Sequence, residues 1–273
     1  MRINTVRKGK SDFSLSLSPK EHMSGKELRL KRIMDTRSNR TIIIPVDHGA
    51  TLGPVDHINN ISRFLCDLDD EYVNGVVVCK GQMVNREIID NCRIPKIVHL
   101  SNAPMISSQA DYKILVGSVE NAITLGADAI SVHVNIGDEY DSQMLRDFGK
   151  VSDDCFKWGM PLLAMMYAKK NHCNDTKTQT IKLLTRMAQE MGADIVKVNY
   201  TGSVETFHEV VEGCSIPVII AGGDYSDENH AIETARDAIK AGASGIAYGR
   251  NIFQNNNYKE LIKKLSSIVH FGN

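Results

Sequence analysis

No stretch of the 273-residue chain comes near the roughly 20 consecutive apolar residues that a membrane-spanning helix requires. The N-terminus mixes charges with isolated apolar residues and lacks the apolar core of a secretory signal, so none is expected. An excess of charge of one sign is missing too. The formal net charge is −1, which leaves no broad basic field for nucleic acid. Cys66, Cys79, Cys92, Cys155, Cys173 and Cys214 form no Cys-x-x-Cys pair, and the histidines form no cluster at zinc-like spacing. Reduced thiols in a cytoplasmic protein, with no metal and no other cofactor, are the expectation. No Gly-x-Gly-x-x-Gly follows an early strand, which argues against a dinucleotide-binding sheet. Nor does a break in composition mark a second domain.

What the chain does hold is a repeat. Eight β-rich runs occupy residues 41–49, 73–81, 95–101, 127–137, 160–167, 193–202, 216–223 and 244–249. They are apolar almost throughout, as strands of a parallel sheet covered by helices are. The spacing between them predicts helices over 117–125, 141–158, 176–191, 204–212, 228–240 and 257–269. Three helices run out in a shared phrase: Leu125-Gly126-Ala127-Asp128, Met191-Gly192-Ala193-Asp194 and Ala241-Gly242-Ala243-Ser244. Glycine there suits a left-handed cap before a tight turn. Eight βα units in this length predict one α/β domain, a (β/α)8 TIM barrel over residues 25–273. Residues 26–40 are basic and read as a solvated helix face before the first strand. Residues 1–24, rich in Ser and Lys, read as a mobile N-terminal extension.

In such a barrel the reactive groups stand at the C-terminal ends of the strands, with a phosphate site after strands seven and eight. The sixth run, around Ile195-Val196-Lys197-Val198-Asn199, sets one lysine among β-branched neighbours. A buried lysine either pairs with a carboxylate or becomes a nucleophile as its charged form is disfavoured. The first strand ends in Asp47-His48-Gly49, the fourth places His133 and Asn135 on one face, and the fifth ends in Met165-Met166-Tyr167. Bland readings stand beside each: an acid capping a turn, a satisfied core histidine, a rim tyrosine with a wet hydroxyl. The seventh run ends in Gly222-Gly223-Asp224 and the eighth in Gly249-Arg250. Paired glycines bring backbone N–H groups to an anion, and Arg250 adds a charged fork. A carboxylate, a phenol, a lysine and a phosphate cradle around one mouth fit imine chemistry on a sugar phosphate. His133 and Asn199 are candidate substrate contacts. Lys80, next to a glycine at the end of strand two, is the rival nucleophile.

At these residues the sequence resembles the DhnA-type class I aldolases, a group that includes archaeal-type class I fructose-bisphosphate aldolase and 2-amino-3,7-dideoxy-D-threo-hept-6-ulosonate synthase. Pro45-Val46-Asp47-His48-Gly49, Met165-Met166-Tyr167, Ile195 to Gly202, Ala221-Gly222-Gly223 and Gly249 to Gln254 carry the likeness. The resemblance implies Lys197 as the Schiff-base lysine, Tyr167 as the proton-transferring group and Asp47 as its acidic partner. It also implies Gly222, Gly223, Gly249 and Arg250 around the phosphate, and a homo-oligomer, often a decameric ring. Met165 stands where the fructose-bisphosphate aldolases tend to carry tryptophan, which leans toward the synthase. One departure is plain: relatives continue from the tyrosine with Pro-Arg-Gly, and this chain has Ala168-Lys169-Lys170-Asn171. Losing a rigid Pro and a permissive Gly gives that loop another shape. The expected activity is therefore a class I aldolase or transaldolase on phosphorylated ketoses and aldehydes. Three alternatives stand beside it: a plain fructose-bisphosphate aldolase, a thiolase-like acyl transfer to CoA, and a non-catalytic phosphosugar-binding protein.

Overall fold

The computed structural model describes residues 25–55, 58–137, 139–169 and 177–272. The extension expected over 1–24, Cys173 and most of the altered loop after Tyr167 lie outside the described residues.

The eight β-rich runs become Thr41–Pro45, Gly75–Cys79, Lys96–His99, Ala129–Ile136, Leu162–Ala168, Ile195–Val198, Val218–Ala221 and Gly245–Ala247, here strands one to eight. Each pairs in parallel with its neighbour, and strand one closes on strand eight through Ile42↔Ile246. The fold is a (β/α)8 barrel. Helices Asp141–Trp158, Val204–Glu212 and Glu228–Lys240 occupy the spans that the apolar spacing predicts. Among the described residues no helix is long and apolar enough to cross a membrane.

Side chains alternate across each strand. Ile42, Ile44, Val76, Val78, Val98 and Ile130 face outward to the helices in one continuous core. Ile43, Val77, Ile97, Ala129, Leu163, Met165, Ile195, Ile219 and Ala247 fill the interior. Helix Gly25–Ile33 closes the bottom, with Ile33 inside that cluster and Leu30 packed on it.

The basic face of this helix is not simply solvated. Lys26 Nζ pairs with Asp194 at 2.9 Å, Arg32 with Asp128 at 2.9 Å, and Arg29 donates to the Gly159 carbonyl at 2.9 Å. The two acids belong to the repeated helix-ending phrase, and each also accepts a backbone N–H from the start of a neighbouring strand. Asp128 takes that of Lys96 at 3.0 Å, and Asp194 that of Leu162 at 2.8 Å. The glycines before them have φ +86 at Gly126 and Gly192 and +101 at Gly242, the left-handed caps the phrase requires.

Several elements are ones that periodicity does not announce. Helices Gly49–Leu52, Ile61–Asp67, Arg86–Asn91 and Arg250–Phe253 are too short to show a repeat. After strand three a ribbon pairs Ser101–Asn102 antiparallel with Ile114–Leu115. The loop between its strands is braced by Tyr112 stacked on Tyr140, centroids 4.6 Å apart, with the Tyr140 hydroxyl 2.6 Å from Gln109 Nε2.

Candidate active site

Following the interior alternation to the C-terminal ends brings Asp47, His99, His133, Tyr167, Lys197 and Asn199 to one mouth. Strand register sets Met165 beside Lys197 on one side and His133 on the other, and Tyr167 beside Asn135.

Lys197 is 8 % exposed and forms no ion pair among the described residues. Its charge lowers the pKa values of Asp47, His48 and His99 together, so it lies within electrostatic reach of all three. The Asp47 carboxylate lies 3.8 Å from His48 Nδ1 and 3.8 Å from His99 Nε2. Burial opposes ionisation of Asp47, yet the charges of His99, His48 and Lys197 outweigh it and hold its carboxyl below the usual range. Desolvation holds both imidazoles below their ordinary values in spite of Asp47. Cys79, inward on strand two, directs its thiol to the Asp47 carbonyl at 3.6 Å, and burial pushes that thiol up to about 12.

Tyr167 is half-buried, its ring 4.9 Å from that of His133. His133 Nε2 lies 2.8 Å from Asn135 Oδ1, an acceptor, so the ring donates there. Desolvation, and next the His99 charge, push His133 down to about 3. Its ring thus stands beside Tyr167 as a neutral, anchored imidazole. Asn199 follows strand six, half-buried, in the same inward alternation.

Strands seven and eight end in the two glycine loops for which the sequence predicts a phosphate cradle. A Cβ at Gly249 would fall 2.6 Å from His48 Cε1 and 2.8 Å from the Pro45 oxygen. One at Gly222 would meet Tyr248 Cδ1 at 2.9 Å. Gly223 has φ +66 beside open space. Arg250 pairs with the Asp224 carboxylate, so the two loops are already linked by charge. Asn251, 3 % exposed, links them again: it donates to the Gly222 carbonyl at 2.7 Å and accepts from Ser226 N at 2.8 Å.

Lys80 lies elsewhere. The alternation that points Cys79 inward turns Lys80 away, and its amine bonds the Val116 carbonyl on an exposed loop. Two groups went unread in the sequence. His99 was legible, since it ends strand three on the inward face as His133 does on strand four. Lys113 was not, because it stands on a loop without a repeat.

With this geometry in view, two sequence relatives and one solved structure are informative. The 2-amino-3,7-dideoxy-D-threo-hept-6-ulosonate synthase 1 of Archaeoglobus fulgidus is 39 % identical over 249 residues, 91 % of this chain and 92 % of that protein. The 2-amino-4,5-dihydroxy-6-oxo-7-(phosphonooxy)heptanoate synthase of Streptomyces griseus is 35 % identical over 247 residues, 90 % of each chain. A Schiff-base-forming fructose-1,6-bisphosphate aldolase superposes with a TM-score of 0.80 at 27 % identity, covering 90 % of this chain and 99 % of that one. These define the class: a carbon–carbon bond-forming enzyme of the lysine Schiff-base type. The family model described as DeoC/LacD family aldolase matches residues 41–255, and the chain belongs to that family.

Proposed function

We propose that Lys197 is the amine that forms the Schiff base, in an aldolase or transaldolase acting on phosphorylated ketoses in the manner of the heptulosonate synthases. The observation that carries this is the burial of Lys197 inside the barrel mouth with no carboxylate ion-paired to it among the described residues. An ammonium kept there as a strut would call for a partner.

The chemistry follows from the neighbours. The neutral amine adds to the ketone carbon, and the carbinolamine loses water as the Tyr167 phenol delivers a proton to its oxygen. The resulting protonated imine accepts the electron pair of the carbon–carbon bond two atoms away, giving an enamine. Meanwhile the departing fragment's hydroxyl gives its proton to a base and leaves as an aldehyde. Asp47, ionised below the usual carboxylate range, is the acidic partner in this traffic. The enamine then attacks a second aldehyde, and the steps reverse. Gly222, Gly223, Gly249 and Arg250 hold the phosphate, with His133 and Asn199 at the sugar. No metal or cofactor enters these steps.

The 39 % identical relative favours the synthase reading, and the aldolase superposition favours fructose 1,6-bisphosphate cleavage as the second one. Release of two triose phosphates without any added aldehyde marks that alternative. The same reading takes the protein to act in the cytoplasm as a homo-oligomer, a decamer-type ring that sedimentation measures.

Lys197→Met tests the central assignment. It is expected to lower activity roughly 10³-fold or more while raising stability by ~1–3 kcal/mol, since an unpartnered polar group leaves the interior. Loss of stability together with retained turnover would return Lys197 to a structural role.

A further inference from the structure

His48 stands where strands one and eight meet, between the carboxylate of Asp47 and the loop that begins with Gly249. Its Nδ1 lies 3.8 Å from Asp47 Oδ1, beyond hydrogen-bond range, and has no other partner among the described residues. The opposite edge of the ring rests on the glycine: a Cβ at Gly249 would fall 2.6 Å from Cε1 and 3.3 Å from Nε2. Phe253, buried at the end of the short helix that Arg250 begins, meets the ring edge-on with centroids 5.3 Å apart. The ring is thus fixed by apolar contact, while one nitrogen faces the acid and the other the arginine-bearing loop.

Its charge state is finely opposed. Burial holds the ring below its ordinary pKa. Asp47 works against that, and the charges of Lys197, Arg250 and His99 work with it. A dianion seated on Arg250 would cancel one of those repulsions and add an attraction of its own. Protonated, the ring becomes a donor at both nitrogens.

We propose that His48 is a positioning residue that couples a substrate's phosphate to Asp47: an anion at Gly249 and Arg250 draws a proton onto the ring, whose two N–H groups then join phosphate to carboxylate. This rests on the phosphate cradle of the reading above. The proton comes from solvent and returns to it when the phosphate leaves, so no net proton is consumed. Closing the Nδ1–Asp47 gap sets the carboxylate for its work only when a phosphorylated ketose is bound. Binding energy from the non-reacting end is in this way spent at the reacting centre.

The first test is calorimetry with glycerol 3-phosphate, a phosphomonoester that has no carbonyl and forms no imine. Titrations at pH ~7 in buffers of different ionisation enthalpy count the protons taken up, with the phosphoryl group largely a dianion there. Wild type is expected to take up roughly half a proton or more per site beyond His48→Gln. The second test follows deuterium incorporation beside the carbonyl of dihydroxyacetone phosphate and of dihydroxyacetone, a measure of enamine formation that needs no second aldehyde. His48→Gln is expected to reduce the wild-type preference for the phosphorylated ketone about 10-fold in kcat, with KM little changed, the worth of one charge-assisted hydrogen bond. Binding of glycerol 3-phosphate by wild type without proton uptake overturns the proposal and leaves the cradle standing. So does a His48→Gln that takes up protons, or prefers the phosphorylated ketone, as wild type does. Failure of wild type to bind glycerol 3-phosphate brings down the cradle instead, and this inference with it.

Discussion

His99 Nε2 lies 3.8 Å from Asp47 Oδ2, while its other ring nitrogen rests 2.9 Å from the Ser131 hydroxyl deep in the barrel. The ring is thus anchored at Ser131 on one side and turned toward the carboxylate on the other. In the mechanism proposed above, His99 acts through Asp47, by fixing where its carboxylate sits. His99→Gln is expected to lower kcat about tenfold, ~1.4 kcal/mol of barrier, with KM for the phosphorylated ketose unchanged. Ser131→Ala, which frees the ring, is expected to give a smaller loss of the same kind. Steady-state kinetics check both, and a KM effect without a kcat effect would place His99 in binding instead.

At the other side of the mouth, Gly249 packs against two strand-one neighbours that cannot both retreat. Its missing Cβ would lie 2.8 Å from the Pro45 backbone oxygen and 2.6 Å from the His48 ring. Gly249→Ala is expected to cost ~1–3 kcal/mol by overpacking and to raise KM for phosphorylated substrates, because the cradle is displaced with it. Denaturant unfolding and KM measured together decide it. A neutral outcome on both would mean that the loop after strand eight does not hold phosphate.

Acid should weaken the fold earlier than carboxylate titration alone predicts. His133 is pushed to about 3 in the native state by desolvation and the His99 charge, against ~6.5 when unfolded. The unfolded chain then binds the extra proton first, so stability present above pH ~6.5 is lost as pH falls toward ~3. His48, His99 and His270 are lowered by burial in the same direction. Melting temperatures between pH 6.5 and 4 should decline in wild type and decline less steeply in His133→Gln. Equal slopes would show that His133 is not buried in its neutral form.

Much of this molecule is written in its sequence, and the limits are physical. Strands buried on both faces declare themselves as apolar runs, and long helices such as Asp141–Trp158 declare themselves by their repeat. Alternation alone then carries Asp47, His133, Tyr167 and Lys197 to one mouth. Lys26 and Arg32 read as solvated because their partners, Asp194 and Asp128, stand far along the chain and meet them through closure of the barrel. Lys113 was invisible for a related reason. The ribbon that presents it has two-residue strands, Ser101–Asn102 and Ile114–Leu115, and no period survives at that length. Asn251 lies within the Gly249 to Gln254 stretch, but its tie to Gly222 needs two loops to be neighbours.

The most direct measurement is borohydride reduction of the enzyme in the presence of fructose 1,6-bisphosphate, followed by peptide mass mapping. The account predicts a stable adduct on the peptide that holds Lys197, and none in Lys197→Met. An adduct on Lys80, or no adduct with any phosphoketose, would contradict it.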